Sequence, residues 1–126
     1  DYFKLLIDSK NIIVNFKIDK NIKIVIDKRK LIKVVDNLIS NSIKYNKMNG
    51  TINIILNKNH FIMEDSGIGL KKENIKDMFK RYVRFDDTVS GSGIGLDIVS
   101  SIIKEYNFKV EVESKYNIGT KIRIRF

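Results

Sequence analysis

Four short stretches carry residue types that could act together on a charged ligand. They are Asn37-Leu38-Ile39-Ser40-Asn41-Ser42-Ile43-Lys44-Tyr45, Asp65-Ser66-Gly67-Ile68-Gly69, Phe79-Lys80-Arg81-Tyr82-Val83-Arg84 and Gly91-Ser92-Gly93-Ile94-Gly95-Leu96. Between them they supply what a magnesium nucleotide needs: amide oxygens for the metal, a carboxylate for the base, cations for the phosphates, and glycines where backbone must come close.

Asn37 and Asn41 are one helical turn apart and Lys44 follows three residues on, so all three project from one strip bordering an apolar stripe. Carboxamide oxygens are hard, neutral ligands suited to magnesium, and a neighbouring ammonium can meet phosphate charge without competing for the metal. By itself, Asn-x-x-x-Asn fits a helix with solvated Asn and Lys better. Asp65 leaves a strand into Gly67-x-Gly69, where backbone without side chains can lie flat beneath a ligand. A buried carboxylate there could accept from the exocyclic amine of adenine. An ordinary Asp-Gly turn explains that stretch alone equally well; the order and spacing of the set favour the site.

Gly91 to Leu96 precedes a helix, whose free N–H groups and positive dipole end can hold phosphate oxygens. A dinucleotide fold would place such a loop straight after a strand, and a P-loop would carry Gly-Lys-Ser/Thr; neither arrangement is present. Phe79 and Tyr82 read as core anchors of a lid over Arg84 to Ser92, with Arg81 and Arg84 able to swing toward phosphates. For Arg84 a phosphate role and a solvated one both stay open. His60, the single histidine, has no carboxylate beside it in the chain and reads as a half-exposed strand residue.

The elements that must position these groups follow from periodicity. Tyr2 to Asp8 could finish a helix. Ile12 to Phe16 and Ile22 to Ile26 are rich in β-branched residues and read as strands. Asp27 can cap a helix along which Leu31, Val34, Val35, Leu38, Ser42 and Tyr45 form one stripe, ending near Asn46 before the Asn49-Gly50 turn. Thr51 to Leu56 and Phe61 to Glu64 read as a hairpin across Asn57-Lys58-Asn59 that delivers Asp65 at a strand end. Lys72 to Phe79 is a short helix candidate. Leu96, Val99, Ile103 and Tyr106 share a face of another helix ending near Asn107, and Val110/Val112 with Ile122/Ile124/Phe126 give two closing strands. The expected architecture is an α/β two-layer sandwich: one mixed sheet of about five strands, covered on one face by about three helices, with a flexible lid.

The 126 residues, 43% hydrophobic, suit a single domain over 1–126, with 1–10 as the end of a linker helix. No apolar run approaches the roughly 20 residues of a membrane helix. The chain opens at Asp1-Tyr2-Phe3 without an initiator Met, so a piece of a longer polypeptide is expected. It holds no cysteine, which removes disulfides and thiol chemistry. The net charge of +9 comes from lysine spread through every segment, so it names no partner.

The four stretches resemble the N, G1, F and G2 boxes of the ATP-binding catalytic domain of sensor histidine kinases, which shares its fold with type II topoisomerases, Hsp90 and MutL. The resemblance covers the chain from the early strands to Phe126. It implies ATP and Mg2+ as cofactors, with Asn41 ligating magnesium and Asn37 nearby, both serving catalysis together with Arg84. Lys44 and Tyr45 would contact the nucleotide, and Asp65 would recognise adenine. Gly67, Gly69, Gly91, Gly93, Gly95 and Leu96 would line the cleft. The chain departs from the family at Val83, where an aromatic residue is common, at Asn107-Phe108, where a glycine is usual, and in lacking a proline after the last strand.

Hydrolytic members of that fold use a glutamate one turn before the metal-binding Asn. Asn37 stands there in this chain and cannot take a proton at neutral pH, so slow hydrolysis is expected. Transfer to a histidine needs only positioning and charge stabilisation, since the imidazole is itself the nucleophile. The acceptor would lie on a dimerisation domain of the same kinase, outside this sequence, with a response regulator taking the phosphate onward. The domain is expected to be a cytoplasmic monomer making no direct membrane contact, within a homodimeric parent that could be an inner-membrane sensor. No nucleic-acid partner is expected. The competing readings are an ATP-driven conformational ATPase of the same fold and a basic nucleic-acid-binding module.

Overall fold

The longest helix among the described residues begins where an aspartate can satisfy its free N–H groups. Asp27, in extended backbone, accepts from the amides of Arg29 at 2.8 Å and Lys30 at 3.4 Å. In the computed structural model, which describes residues 2–67 and 94–126, with side chains over 3–67 and 98–126, the chain runs as follows. Helix α1 (Tyr2–Lys10) and strand β1 (Ile13–Ile18) precede that long helix, α2 (Lys28–Lys44); strands β2 (Thr51–Leu56) and β3 (His60–Asp65) come next. Helix α3 (Ile94–Glu105) and strands β4 (Lys109–Lys115) and β5 (Gly119–Arg125) complete it.

The strands make one mixed sheet in the order β1-β2-β3-β5-β4, parallel only between β1 and β2, which α2 joins as a crossover. In register, Ile54 stands beside Met63 and Met63 beside Ile122, so alternation puts Ile52, Ile54, Met63, Ile122 and Ile124 on one face. Helix residues Val34, Leu38, Ile43, Val99, Ile102 and Ile103 close over that face, while Phe3, Leu6 and Ile7 of α1 pack against its margin. Leu38 and Val99 are at most 1% exposed. Each such side chain withdrawn from water contributes about 1.5–3 kcal/mol, which makes this seam the source of the fold's stability.

The two-layer α/β arrangement matches the expectation, with one correction. Ile22 to Ile26 is not a strand; it has no ladder partner among the described residues. Its alternation is real, since Ile22, Ile24 and Ile26 are half-buried and Val25 is 93% exposed. Ile24 and Ile26 turn that apolar face toward Leu31, Val34, Ile102 and Phe126, lining with them an apolar crevice of about 140 Å³. A period of two reports which side is buried; a strand also needs a free edge to pair with. The short helix at 72–79 and the lid at 84–92 lie outside the described residues.

Turns in this chain use asparagine where many proteins use glycine. Asn11, Asn21, Asn49, Asn107 and Asn117 all take positive φ, between 53° and 67°. Asparagine is among the few residues that visit the left-handed region readily, because its short amide bonds locally.

Candidate functional site

Asp65 is the last residue of β3, on the face that carries Met63 and looks at the helices; Ile52 and Thr120 flank it in register. The hairpin brings it there: Asn57 Oδ1 accepts from the amides of Asn59 and His60 at 2.9 and 3.0 Å, which closes the turn and sets the pairing of β2 with β3. Burial pushes the Asp65 carboxyl up to about 6. Hydrogen bonds oppose the shift: the Gly67 amide donates to Oδ1 at 2.9 Å, and the Thr120 amide and Ser42 hydroxyl add support. The neighbouring charge of Glu64 adds a little in the raising direction. At neutral pH the group is mainly a carboxylate, able to accept from an amine.

The C-terminal half of α2 lies over that carboxylate. Ser42 is buried and reaches Asp65, so Asn41 is one residue from the contact and Asn37 one turn further back. Asn37 Nδ2 donates to its own helix at Lys33 O, 2.7 Å away, which leaves the amide oxygen as the end open to a cation. The helix ends at Tyr45, whose amide bonds Asn41 O and whose carbonyl faces Gly67. A β-carbon on Gly67 would stand 2.2 Å from that oxygen, so the loop after β3 requires glycine there.

Helix α3 reaches the same end of the domain. Lys30 of α2 pairs with Glu105 of α3, and the amide of Asp27 donates to the Tyr106 hydroxyl at 2.9 Å. The helices pack side by side through Val34, Leu38, Val99 and Ile102. Eleven residues separate Lys30 from Asn41 and eleven separate Glu105 from Ile94, so antiparallel packing brings the start of α3 to the level of Asn41. Gly95 and Leu96 lie in that first turn. Gly69, Gly91, Gly93 and Arg84, together with Phe79, Arg81 and Tyr82, lie outside the described residues.

Three residues essential to this geometry carry no motif. Asn46 is buried at 7% exposure; its Nδ2 donates to Thr51 O at 3.1 Å, and its Oδ1 accepts from the Lys47 amide and the Ser66 hydroxyl. It thus ties the end of α2 to both β2 and the loop after β3. Gly119 has φ +151°, and a β-carbon there would meet Asp65 O at 2.0 Å. Lys10 donates to three carbonyls at the end of α2, those of Ile43, Lys44 and Asn46. Glycine before a closing strand is the one signal of these that the chain offers.

His60 opens β3 with Nε2 3.0 Å from Asn57 Nδ2, at the opposite end of the strand from Asp65. A cleft of about 470 Å³ lies among Asn53, Glu64, Glu113 and Lys121 of the outer sheet face and reaches Asp65 and Ser66. Its lining includes neither asparagine of α2.

A carboxylate at a strand end, a glycine against the end of a helix and two carboxamides on that helix are thus brought to one end of the domain. The sequence profile of the histidine kinase-, DNA gyrase B- and HSP90-like ATPases matches residues 26–126. The chain belongs to that family. It is the ATPase-type catalytic domain of the kind carried by sensor histidine kinases. It is 33% identical over 115 residues to the sensor histidine kinase YvrG of Bacillus subtilis, an alignment spanning 86% of this chain and 20% of that protein. It is also 33% identical over 127 residues to the sensor protein RprX of Bacteroides fragilis, spanning 87% of this chain and 24% of that protein. The chain therefore spans about a fifth to a quarter of the length of these relatives.

Solved structures show the same fold. The mycobacterial sensor histidine kinase MprB superposes with a TM-score of 0.82 at 20% identity, over 98% of this chain and 88% of the other. A nucleotide-free catalytic domain of the histidine kinase ThkA gives 0.83 at 23% identity, over 99% and 84%. Among the described residues no helix is long and apolar enough to cross a membrane.

Proposed function

We propose that this histidine-kinase-type ATPase domain binds Mg-ATP and donates the γ-phosphate to a histidine on a separate dimerisation domain of its own sensor kinase, for relay to an aspartate of a response regulator. The observation that carries the reading is the meeting of Asp65 with the C-terminal half of α2. One desolvated carboxylate, supported by Gly67, lies beneath the helix that carries Asn37, Asn41 and Lys44.

The residues fit the ligand chemically. Asp65 supplies an ionised acceptor for an exocyclic amine, and Gly67 keeps its surroundings flat enough for a planar base. Asn41 and Asn37 offer neutral oxygens to magnesium, and Lys44 offers positive charge to phosphate. When bound, the ion neutralises charge on the phosphoryl group being transferred. Gly91, Gly93, Gly95 and Leu96 are assigned to the phosphate side, Gly69 to the loop beneath the base, Tyr45 to the nucleotide and Arg84 to the terminal phosphates. Asn37 in place of a glutamate leaves no side chain at that position to activate water, which favours transfer over hydrolysis.

Titration with a fluorescent ATP analogue, with and without magnesium, tests the assignment. Asn41→Ala is expected to lose the magnesium dependence and Asp65→Asn the preference for adenine. Unchanged binding in both variants refutes it.

A further inference from the structure

We propose that Lys10 is a positioning residue for the nucleotide site: its ammonium clamps the C-terminus of α2 and so sets where Asn41, Lys44 and Tyr45 stand. The proposal rests on reading that strip as nucleotide-binding.

The last carbonyls of a helix have no partner within the helix and carry its negative dipole end. Here one side chain from another helix meets two of them, Ile43 O also accepting from the Asn46 amide at 3.2 Å, together with the Asn46 carbonyl just beyond the helix. Lys10 Nζ lies 2.8 Å from Ile43 O, 2.9 Å from Lys44 O and 3.2 Å from Asn46 O. An ammonium has three donors, and three carbonyls take them. Burial pulls the Lys10 pKa below its ordinary value, as desolvation does to an ammonium. The backbone at Lys10 is held as well: its carbonyl accepts from the Asn49 amide at 2.8 Å, and Asn11 Nδ2 donates to Asn49 Oδ1 at 2.6 Å.

Other groups hold the same helix end as well. Gly67 abuts the Tyr45 carbonyl, and Ser66 donates to Asn46 Oδ1 at 3.2 Å. The end of α2 is therefore gripped between α1 and the loop after β3. Val34 and Leu38 secure the middle of the helix in the core, and Ile43 packs its last turn into the same core. Loss of the ammonium should loosen the last turn, which carries Asn41 and Lys44, and leave the stretch through Val34 and Leu38 in place. Three carbonyls converging on a point suit a compact ammonium better than a planar guanidinium, so arginine should substitute only partly.

The test compares the wild-type chain with Lys10→Met, Lys10→Arg and, as a control on the exposed side of the same helix, Lys4→Met. Two readouts are taken: amide hydrogen exchange at Tyr45 and Asn46 against exchange within β3, and the Kd of a fluorescent ATP analogue with magnesium. Lys10→Met is expected to speed exchange at Tyr45 and Asn46 selectively and to raise Kd about tenfold, the scale of hydrogen bonds to a charged group. Lys10→Arg should fall between Lys10→Met and wild type, and Lys4→Met should match wild type. Unchanged exchange at Tyr45 and Asn46, or a Kd change that only follows a uniform rise in exchange through β3, overturns the proposal. A wild-type chain that binds no nucleotide overturns the nucleotide reading and this functional role with it, while selective exchange would still identify the clamp as purely structural.

Discussion

The carbonyl oxygen of Tyr45 lies 2.2 Å from the place a β-carbon on Gly67 would occupy. The end of the helix carrying Asn41 and Lys44 is thus in backbone contact with the loop that follows Asp65, and no side chain fits between them. The obstacle is backbone, which cannot rotate aside as a flexible side chain would.

Gly67→Ala is therefore expected to destabilise the chain by about 1–3 kcal/mol, the range of overpacking substitutions, and to weaken nucleotide binding by parting the two walls of the site. Urea unfolding and the fluorescent-nucleotide titration check the two effects. A variant as stable as wild type would show that the loop is free to retreat.

Asp65→Asn should stabilise the chain without ligand. A carboxyl whose folded pKa is raised from 3.8 to about 6 favours the native state below pH 4, and that contribution is lost as pH rises through about 6. The shift corresponds to roughly 3 kcal/mol at neutral pH. The carboxamide that replaces the carboxylate still offers an oxygen to the Gly67 amide, so the variant is expected to be the more stable one at pH 7 and to lose its advantage near pH 4. Thermal unfolding across that range measures it.

Nucleotide affinity of the wild type should fall as pH drops below about 6, because protonation converts Asp65 from an acceptor-only group into a donor. The affinity of Asp65→Asn should fall less over the same range, since only the protonation of the nucleotide phosphate, which titrates at about pH 6, then remains. Titrations at about pH 5, 6 and 7.5, which bracket the shifted carboxyl, separate the two.

Asn46→Ala leaves the Thr51 carbonyl, the Ser66 hydroxyl and the Lys47 amide each without this partner in a part-buried site. A loss of about 1–3 kcal/mol is expected. Exchange at Ser66 and Gly67 should rise more than exchange at Val99 in the core.

Asp27→Ala removes the acceptor for two amides at the start of α2, and a loss of about 1 kcal/mol is expected. The cap lies far from Asn41 along the helix, so the Kd for nucleotide should not move.

Much of this arrangement is legible in the chain. The apolar stripe from Leu31 to Ser42 predicts α2, Asp27 its start, and Asn57-Lys58-Asn59 the hairpin that ends at Asp65. These are local features, governed by residues within a turn or two of one another. Ile22 to Ile26 misleads because its alternation is a burial signal and no strand edge receives it.

The sequence by itself determined the residue types of the site and placed Asn37, Asn41 and Lys44 on one helical strip, because a 3.6-residue period leaves them nowhere else to point. Tertiary structure alone decided that Asp65 would be drawn out of water beneath Ser42, that Asn46 would join α2 to Thr51 and Ser66, that Gly119 would pass against Asp65, and that Lys10 would close the end of α2. Apart from the pairing of Asn46 with Thr51, five residues on, those contacts join groups far apart along the chain, as Lys10 and Ile43 are, 33 residues apart. Strand register and helix packing bring such groups within reach, and no pattern of neighbouring residues records that geometry.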